Sequence, residues 1–285
     1  MKKVVILGAK GGLGEYLIDK FEENGWKVFG FDRKDLDITN TIKSREKIEE
    51  IQPEVVINAA ALNDVDEIEE SKQKFKRAQE VNGYAPGQLA KICADNNIKF
   101  IHYSTDFVFA GDKKKGYTED DEPNPINKYG ETKLLGEQQV KEKGDDYYII
   151  RAARLFGEQG SSSNSKRSFV DTMIYLATEG EQDKLEIVDE QEGSPTYKKD
   201  LAQTTKEIVE KDYDPGVYHA ANKGSCTWYE WAETTFEYAD IDVDYKAVTA
   251  EEFPRPAEIP DYSELKNNKL PEQRHWKKAL KDYLS

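Results

Sequence analysis

The stretch Val4-Val5-Ile6-Leu7-Gly8-Ala9-Lys10-Gly11-Gly12-Leu13-Gly14 decides the fold. Its first four residues form an unbroken apolar run, as a strand covered on both faces requires. Glycines follow at 8, 11 and 14, and Tyr16, Leu17 and Phe21 then recur at helical spacing. A tight turn, a backbone lying close to a pyrophosphate, and close helix–strand contact each call for a residue without Cβ. The pyrophosphate belongs at the helix N-terminus, where unpaired N–H groups and the helix dipole favour an anion. Gly8, Gly11, Gly12, Leu13 and Gly14 are therefore the expected phosphate-binding residues. Asp32 ends the second apolar run, 18 residues beyond Gly14, where a carboxylate accepts the adenosine-ribose hydroxyls. Arg33 beside it suits a 2′-phosphate instead.

Outward from this turn, apolar runs at 4–7, 28–31, 55–57, 100–103 and 147–150 alternate with helical patterns near 13–24, 41–51, 78–96 and 126–143. That alternation predicts an α/β fold: a Rossmann-type, doubly wound parallel sheet over residues 1–155. The small residues Asn58-Ala59-Ala60-Ala61 at the third strand's carboxyl end leave room for a flat cofactor. Residues 111–127 are charged and Pro-rich and read as a surface loop, and 157–166, GEQGSSSNSK, as a flexible one. Beyond 155 the pattern loosens. Helices are expected near 168–180, 198–211, 228–239 and 272–284, and strands near 185–188, 217–220 and 243–248. Residues 156–285 are thus a smaller α/β substrate lobe, with the chain free to cross between lobes. Thr227 with Glu230 forms a capping box.

Composition excludes several classes. The 41 basic and 56 acidic residues leave a formal charge of -15, which argues against a nucleic-acid or anionic-membrane surface. No run approaches the roughly 20 apolar residues of a membrane span. Two distant cysteines, Cys93 and Cys226, make no disulfide framework, so a reducing cytoplasm is the default. Cys93 reads as a small core residue, and His102 and His219 as structural. Three histidines without ligand spacing leave no metal site to assign.

The catalytic signal is a coincidence of elements. The strand at 100–103 ends in Ser104-Thr105-Asp106, and Tyr129 and Lys133 follow about 25 residues on, near a helix start. Residues at i and i+4 share one helical face, so the Lys133 ammonium is expected beside the Tyr129 phenol, where its charge, with that of a nicotinamide ring, lowers the phenol pKa. Thr105 is positioned to hold a carbonyl while Tyr129 protonates the oxygen and hydride reaches the carbon.

Together with Gly193-Ser194-Pro195-Thr196, Gly216-Val217-Tyr218-His219 and the string Ser104-Thr105-Asp106-Phe107-Val108-Phe109, these motifs run through nearly the whole chain. The sequence resembles the dTDP-4-dehydrorhamnose reductase family of the extended short-chain dehydrogenases/reductases. The resemblance implies catalysis by Thr105, Tyr129 and Lys133, with Asp106 beside the substrate. It also implies a cofactor lined by Gly11 to Leu13, Asp32, Asp37, Ile38, Ala60, Ala61 and Leu62. NADH or NADPH is implied, and Asp32 tilts the reading toward NADH. The family's magnesium at a dimer contact has no assignable residues here, and a homodimer is left open. The implied substrate is a dTDP-6-deoxy-hexulose, reduced at its 4-keto group. Two departures fall in the substrate region: Arg154 stands where the family carries tryptophan, and Lys166-Arg167-Ser168 replaces Gly-Asn-Asn. Arg154, Lys166, Arg167 and Arg255 are candidates to neutralise the nucleotide-sugar pyrophosphate, with surface acids as the other partner for Arg154. Rival readings are a nucleotide-sugar 4-epimerase or dehydratase, and a non-catalytic regulatory subunit of the kind that accompanies methionine adenosyltransferase. Phe107 after Asp106 removes the Asp-Glu pair a dehydratase uses.

Overall fold

The computed structural model describes residues 1–180, 184–211 and 213–285. In chain order the first elements are β1 (Lys3–Leu7), α1 (Gly12–Glu23), β2 (Lys27–Phe31), α2 (Thr41–Ile51), β3 (Val55–Asn58), α3 (Val65–Glu70) and α4 (Lys72–Ala78). After a π-helical turn (Gln79–Tyr84) come α5 (Ala85–Asp95), β4 (Lys99–Thr105), α6 (Lys128–Lys143), β5 (Tyr147–Ala152) and β6 (Leu155–Phe156). The remainder holds α7 (Phe169–Thr178), β7 (Leu185–Val188), β8 (Glu192–Gly193), β9 (Thr196–Tyr197), α8 (Lys198–Glu210) and β10 (Gly216–His219). The chain closes with β11 (Cys226–Thr227), α9 (Trp228–Ala239), β12 (Tyr245–Val248) and α10 (Trp276–Leu284).

The main sheet is parallel throughout, in the order β10-β5-β4-β3-β1-β2. Strand direction of growth reverses between β1 and β3, and ligands of open α/β sheets bind outside the carboxyl ends at that point. Alternate residues of β1 point to opposite faces, and both faces are apolar. Val4 and Ile6 join Leu17 and Phe21 of α1 and Leu201 and Ile208 of α8. Val5 and Leu7 join Ile48 of α2, Leu89 and Ile92 of α5, and Val140 of α6. Each such side chain contributes about 1.5–3 kcal/mol on leaving water, so neither face can be left open. Cys93 lies in the second of these clusters, 1% exposed.

Two elements that the sequence placed in the second lobe lie with the first. Strand β10 pairs with β5 as the sixth strand, and α8 covers α1. The rest of the C-terminal part packs α7, α9 and α10 around Phe156, Trp231 and Trp276. Both α7 and α9 start with capping boxes, Ser168 with Asp171 and Thr227 with Glu230. The helix expected over 78–96 begins earlier and is interrupted: α4, the π-turn and α5 run on from residue 72, and Pro86, which has no N–H to donate into the preceding turn, sits just after the π-turn. The last helix begins at Trp276 rather than 272. The 111–127 segment is tethered. Tyr117 stacks on Phe109 at 4.2 Å and its hydroxyl accepts the Gly111 and Asp112 N–H groups, while Glu119 accepts the His219 N–H. Among the described residues no helix is long and apolar enough to cross a membrane.

Candidate active site

The glycine turn carries out the close approaches expected of it. Gly8 has φ +80°, and a Cβ there would lie 2.7 Å from Ala60 N and 2.8 Å from Ala59 C, so β1 and β3 touch at the switch point. A Cβ on Gly14 would stand 2.2 Å from Gly8 O. The Gly8 and Ala9 N–H groups donate to Phe31 O at 2.9 and 3.1 Å, which ties the turn to the end of β2. Gly11 is the N-cap of α1 and makes no side-chain cap bond, so no side chain of the cap takes up the first N–H groups of the helix. The turn and the helix start form a cradle that a dinucleotide pyrophosphate fits.

The 157–166 segment is not a free loop. A Cβ on Gly160 would fall 2.5 Å from Lys10 O and Gly11 C and 2.6 Å from Gly12 N, all backbone atoms of the glycine turn. Ser162 N–H donates to Lys10 O (2.9 Å) and Ser161 N–H to Glu15 (2.8 Å). Lys198, buried at the start of α8, donates to Gly157 O and Glu158 O at 3.0 and 2.9 Å. Composition suggested flexibility; the missing Cβ at 160, which permits backbone-on-backbone packing, is the signal that composition hides.

At the far end of the cradle, Asp32 accepts the Lys34 and Asp35 N–H groups (2.7 and 3.2 Å) and pairs with Lys10 Nζ at 2.9 Å. The Lys10 hydrogen bond, foremost, holds its carboxyl down at about 2. Arg33 is 68% exposed and 3.9 Å from Asp37. Asp37 is itself taken by Arg77 (2.9 Å) and by Thr39 N–H and Oγ1 (3.0 and 2.7 Å), and Ile38 is buried. Ala60 N–H donates to Asn58 Oδ1 (3.2 Å). Leu62 exchanges both backbone groups with the Asn82 side chain at 2.8 and 2.9 Å, and Asn82 Nδ2 also reaches Thr132 Oγ1 on α6. Asn82 thus fixes the 60–62 segment against α6 from the π-turn, a role no spacing rule pointed to.

The structure brings Thr105, Asp106, Tyr129 and Lys133 together where β4 meets α6. Asn127 caps α6 by accepting Gly130 N–H at 2.8 Å. A Cβ on Gly130 would stand 2.2 Å from Phe107 O, so glycine lets the helix start press on the turn after β4. Tyr129 is 8% exposed, lies edge-on to Phe107, and its hydroxyl points at Asn63 Oδ1 (3.4 Å). Thr105 Oγ1 donates to Asp106 Oδ1 (2.9 Å), and Ser263 Oγ donates to Asp106 Oδ2 (2.7 Å). Burial raises the Asp106 carboxyl, with both hydroxyls opposing. Lys133 Nζ donates to Tyr103 O at 2.6 Å.

The protein's own groups act against one expectation. The ammonium was expected to lower the phenol pKa, yet burial, followed by the Asp106 charge, lifts Tyr129 above its ordinary value, and the Thr105 hydroxyl offsets only part. Lys133 is turned onto the Tyr103 carbonyl and is itself lowered to about 8 by burial, with Glu137 opposing. Desolvation wins because phenol and amine share a site closed to water. Behind Lys133, Glu137 and Arg151 form a fully buried two-bond pair at 2.8 and 2.7 Å. His219 adjoins it, and burial lowers its imidazole to about 3; His102 is also lowered by burial, so both are neutral.

Each of the four candidate pyrophosphate cations has a partner within the protein, and Lys166 and Arg255 both meet acids at the start of α3. Arg154, with φ +44°, donates to Cys226 O and Gln191 O (2.7 and 2.8 Å) and stacks 4.0 Å over Trp228. Its partners are carbonyls and an indole rather than surface acids. Arg255 pairs with Asp66 (2.9 Å), Lys166 with Asp64, and Arg167 lies 4.0 Å over Tyr175. Among the described residues no group of three His, Cys, Asp or Glu is placed to hold a metal.

Similarity to known proteins agrees with this geometry. The pattern of the RmlD substrate binding domain family matches residues 1–285. The chain is 35% identical to the spore coat polysaccharide biosynthesis protein SpsK of Bacillus subtilis, over 100% of this chain and 97% of that one. It is 37% identical to a dTDP-4-dehydrorhamnose reductase of Mycolicibacterium smegmatis, over 99% and 84% of the two chains. A crystal structure of dTDP-4-dehydrorhamnose reductase from Bacillus anthracis in complex with NADP superposes with a TM-score of 0.92 at 35% identity, covering 99% of each chain.

Proposed function

The chain belongs to the RmlD substrate binding domain family, and from that premise we propose that it is an NAD(P)H-dependent reductase of the 4-keto group of a dTDP-6-deoxy-hexulose, converting dTDP-4-dehydro-L-rhamnose to dTDP-L-rhamnose. The observation that carries this reading is the meeting of Thr105, Asp106, Tyr129 and Lys133 beside a glycine turn at the sheet's switch point. When bound, reduced nicotinamide supplies the hydride for the carbonyl carbon. Tyr129 gives its phenolic proton to the carbonyl oxygen, which becomes the hydroxyl. Burial keeps the phenol protonated at neutral pH but raises its pKa, which makes it the weaker acid. Thr105 Oγ1 gives its one proton to Asp106 Oδ1, so to hold the carbonyl it must turn that proton to the substrate, while Ser263 remains on Asp106 Oδ2. Lys133 is held on Tyr103 O with two N–H bonds left for a ribose hydroxyl. The substrate diphosphate must draw Arg255 or Lys166 away from Asp66 or Asp64.

The test is direct. Purified protein is mixed with dTDP-4-dehydro-L-rhamnose and NADPH or NADH, and nicotinamide absorbance is followed. One cofactor oxidised per sugar reduced is the expected result. An epimerase or dehydratase regenerates its cofactor and a regulatory subunit consumes none, so no net oxidation with either dinucleotide removes the assignment.

A further inference from the structure

Lys198 is a buried cation that the catalytic set does not use. It opens α8 and is 7% exposed, yet its ammonium reaches the head of α1, where a Cβ on Gly12 would lie 2.6 Å from Nζ. Its hydrogen bonds go to Gly157 O and Glu158 O at 3.0 and 2.9 Å. Both are neutral carbonyls. Burial lowers the ammonium's pKa, and Asp171, Glu15 and Glu158 oppose it only through space. Asp171 is taken up by the Ser168 and Tyr283 hydroxyls (2.7 and 2.6 Å), and Glu15 by the Ser161 N–H (2.8 Å).

Carbonyl oxygens solvate an ammonium without neutralising it, and a buried charge that lacks an opposite one destabilises a fold. The location adds to that strain. Gly12 and Lys198 are the first residues of α1 and α8, and no side-chain cap bond is made at either helix start. The positive end of a helix dipole repels a cation. The contact is nonetheless firmly built. Gly157 has φ +125°, a conformation open to glycine. The Tyr16 hydroxyl of α1 accepts the Glu158 N–H at 3.2 Å, and Ser162 N–H donates to Lys10 O at 2.9 Å, so both carbonyls are held facing the ammonium. A charge that is unfavourable by itself but held in place from several sides is suited to binding its opposite.

The anion that belongs at the head of α1 is a dinucleotide pyrophosphate, which carries two negative charges. The helix start offsets only about half of one. Resting on the reading that the glycine turn binds a nicotinamide dinucleotide, we propose that Lys198 is a cofactor-binding residue contributed by the C-terminal half of the chain. It supplies a full positive charge to the pyrophosphate while it fastens the Gly157 and Glu158 carbonyls to the turn. The sugar half of the molecule thereby takes part in holding the cofactor at a point far along the chain from the glycine motif.

Binding and stability together test this role. Wild type, Lys198→Met and Lys198→Gln are titrated with NADPH and NADH by calorimetry, and each protein is melted without cofactor. Both substitutions should weaken both dinucleotides about tenfold, the effect of a unit charge acting through partly screened space, and equally, because the two share one pyrophosphate. The cofactor-free melting temperature should rise, or fall by no more than about 3 °C, because removing a buried charge offsets the two lost carbonyl bonds. A lysine with only a structural role would lower the melting temperature and affect binding through the fold. Affinities within about threefold of wild type, a loss confined to one dinucleotide, or a melting temperature more than about 3 °C below wild type in both variants overturns the role of Lys198 alone. Failure of the wild type to bind either dinucleotide overturns the reductase reading, and this assignment with it.

Discussion

Replacing Glu137 by Gln should both destabilise the fold and alter the charge of Lys133. The Glu137 and Arg151 side chains are 0% and 1% exposed and joined by two short bonds, with the guanidinium also 4.9 Å over Phe109. An amide keeps the shape but removes the compensating charge, leaving Arg151 ionised and out of water. Breaking one partner of a buried pair costs about 3–5 kcal/mol. At about 2 °C per kcal/mol for a chain of this size, the melting temperature should fall by roughly 6–10 °C. Glu137 also supplies the charge that opposes desolvation of Lys133, one helical turn away. Its loss should move Lys133 further below 8, so that cofactor binding weakens from a lower pH. Thermal melts and cofactor titrations from pH 6 to 9.5 read the two effects separately. Glu137→Leu with Arg151→Met replaces the pair by apolar groups and should recover most of the stability, since such exchanges are often neutral, without recovering the pH profile. A melting temperature within 2 °C of wild type for Glu137→Gln, with an unshifted profile, would refute the reasoning.

Tyr129→Phe should lower turnover by about 10²–10⁴-fold, the usual worth of a positioned general acid, with cofactor affinity within about twofold; retained turnover by steady-state assay rules out the proton donor. In the wild type, cofactor affinity should weaken as pH rises through about 8, because burial lowers Lys133 to that value and its ammonium is lost above it; affinity that stays flat to pH 9.5 contradicts this. Gly160→Val places side-chain atoms against the Lys10, Gly11 and Gly12 backbone, where even a Cβ falls at 2.5–2.6 Å. It should weaken dinucleotide binding about five- to 150-fold for an overpacking strain of 1–3 kcal/mol, and unchanged binding by fluorescence titration would mean the 157–166 segment forms no part of the cradle.

Legibility followed the range of the interaction. The glycine turn, the strands and the Tyr129–Lys133 helix face were readable because each depends on residues a few places apart. Asn127 and Gly130 belong to the same local grammar. The stack of Arg154 on Trp228 joins residues that no periodicity connects, so the sequence did not show that an indole reaches this cation from α9. The Lys10–Asp32 pair was hidden differently: both residues sat in a recognised motif, but the motif treats position 10 as free. The sixth strand was recognisable as a strand in its own right. Its place was not, because four residues carry no mark of which sheet edge they will join.

Strand β10 has a consequence for how the molecule comes into being. A ribosome releases β1 to β5 early, yet the neighbour that completes β5 emerges only after α7, β7 and α8 have been made. Until then the nascent sheet ends in a bare row of amide and carbonyl groups, the kind of border on which foreign strands assemble. The nucleotide half is therefore not a cassette that can be severed after β5 and grafted to another sugar lobe, since its last stave is carried inside the piece that would be thrown away.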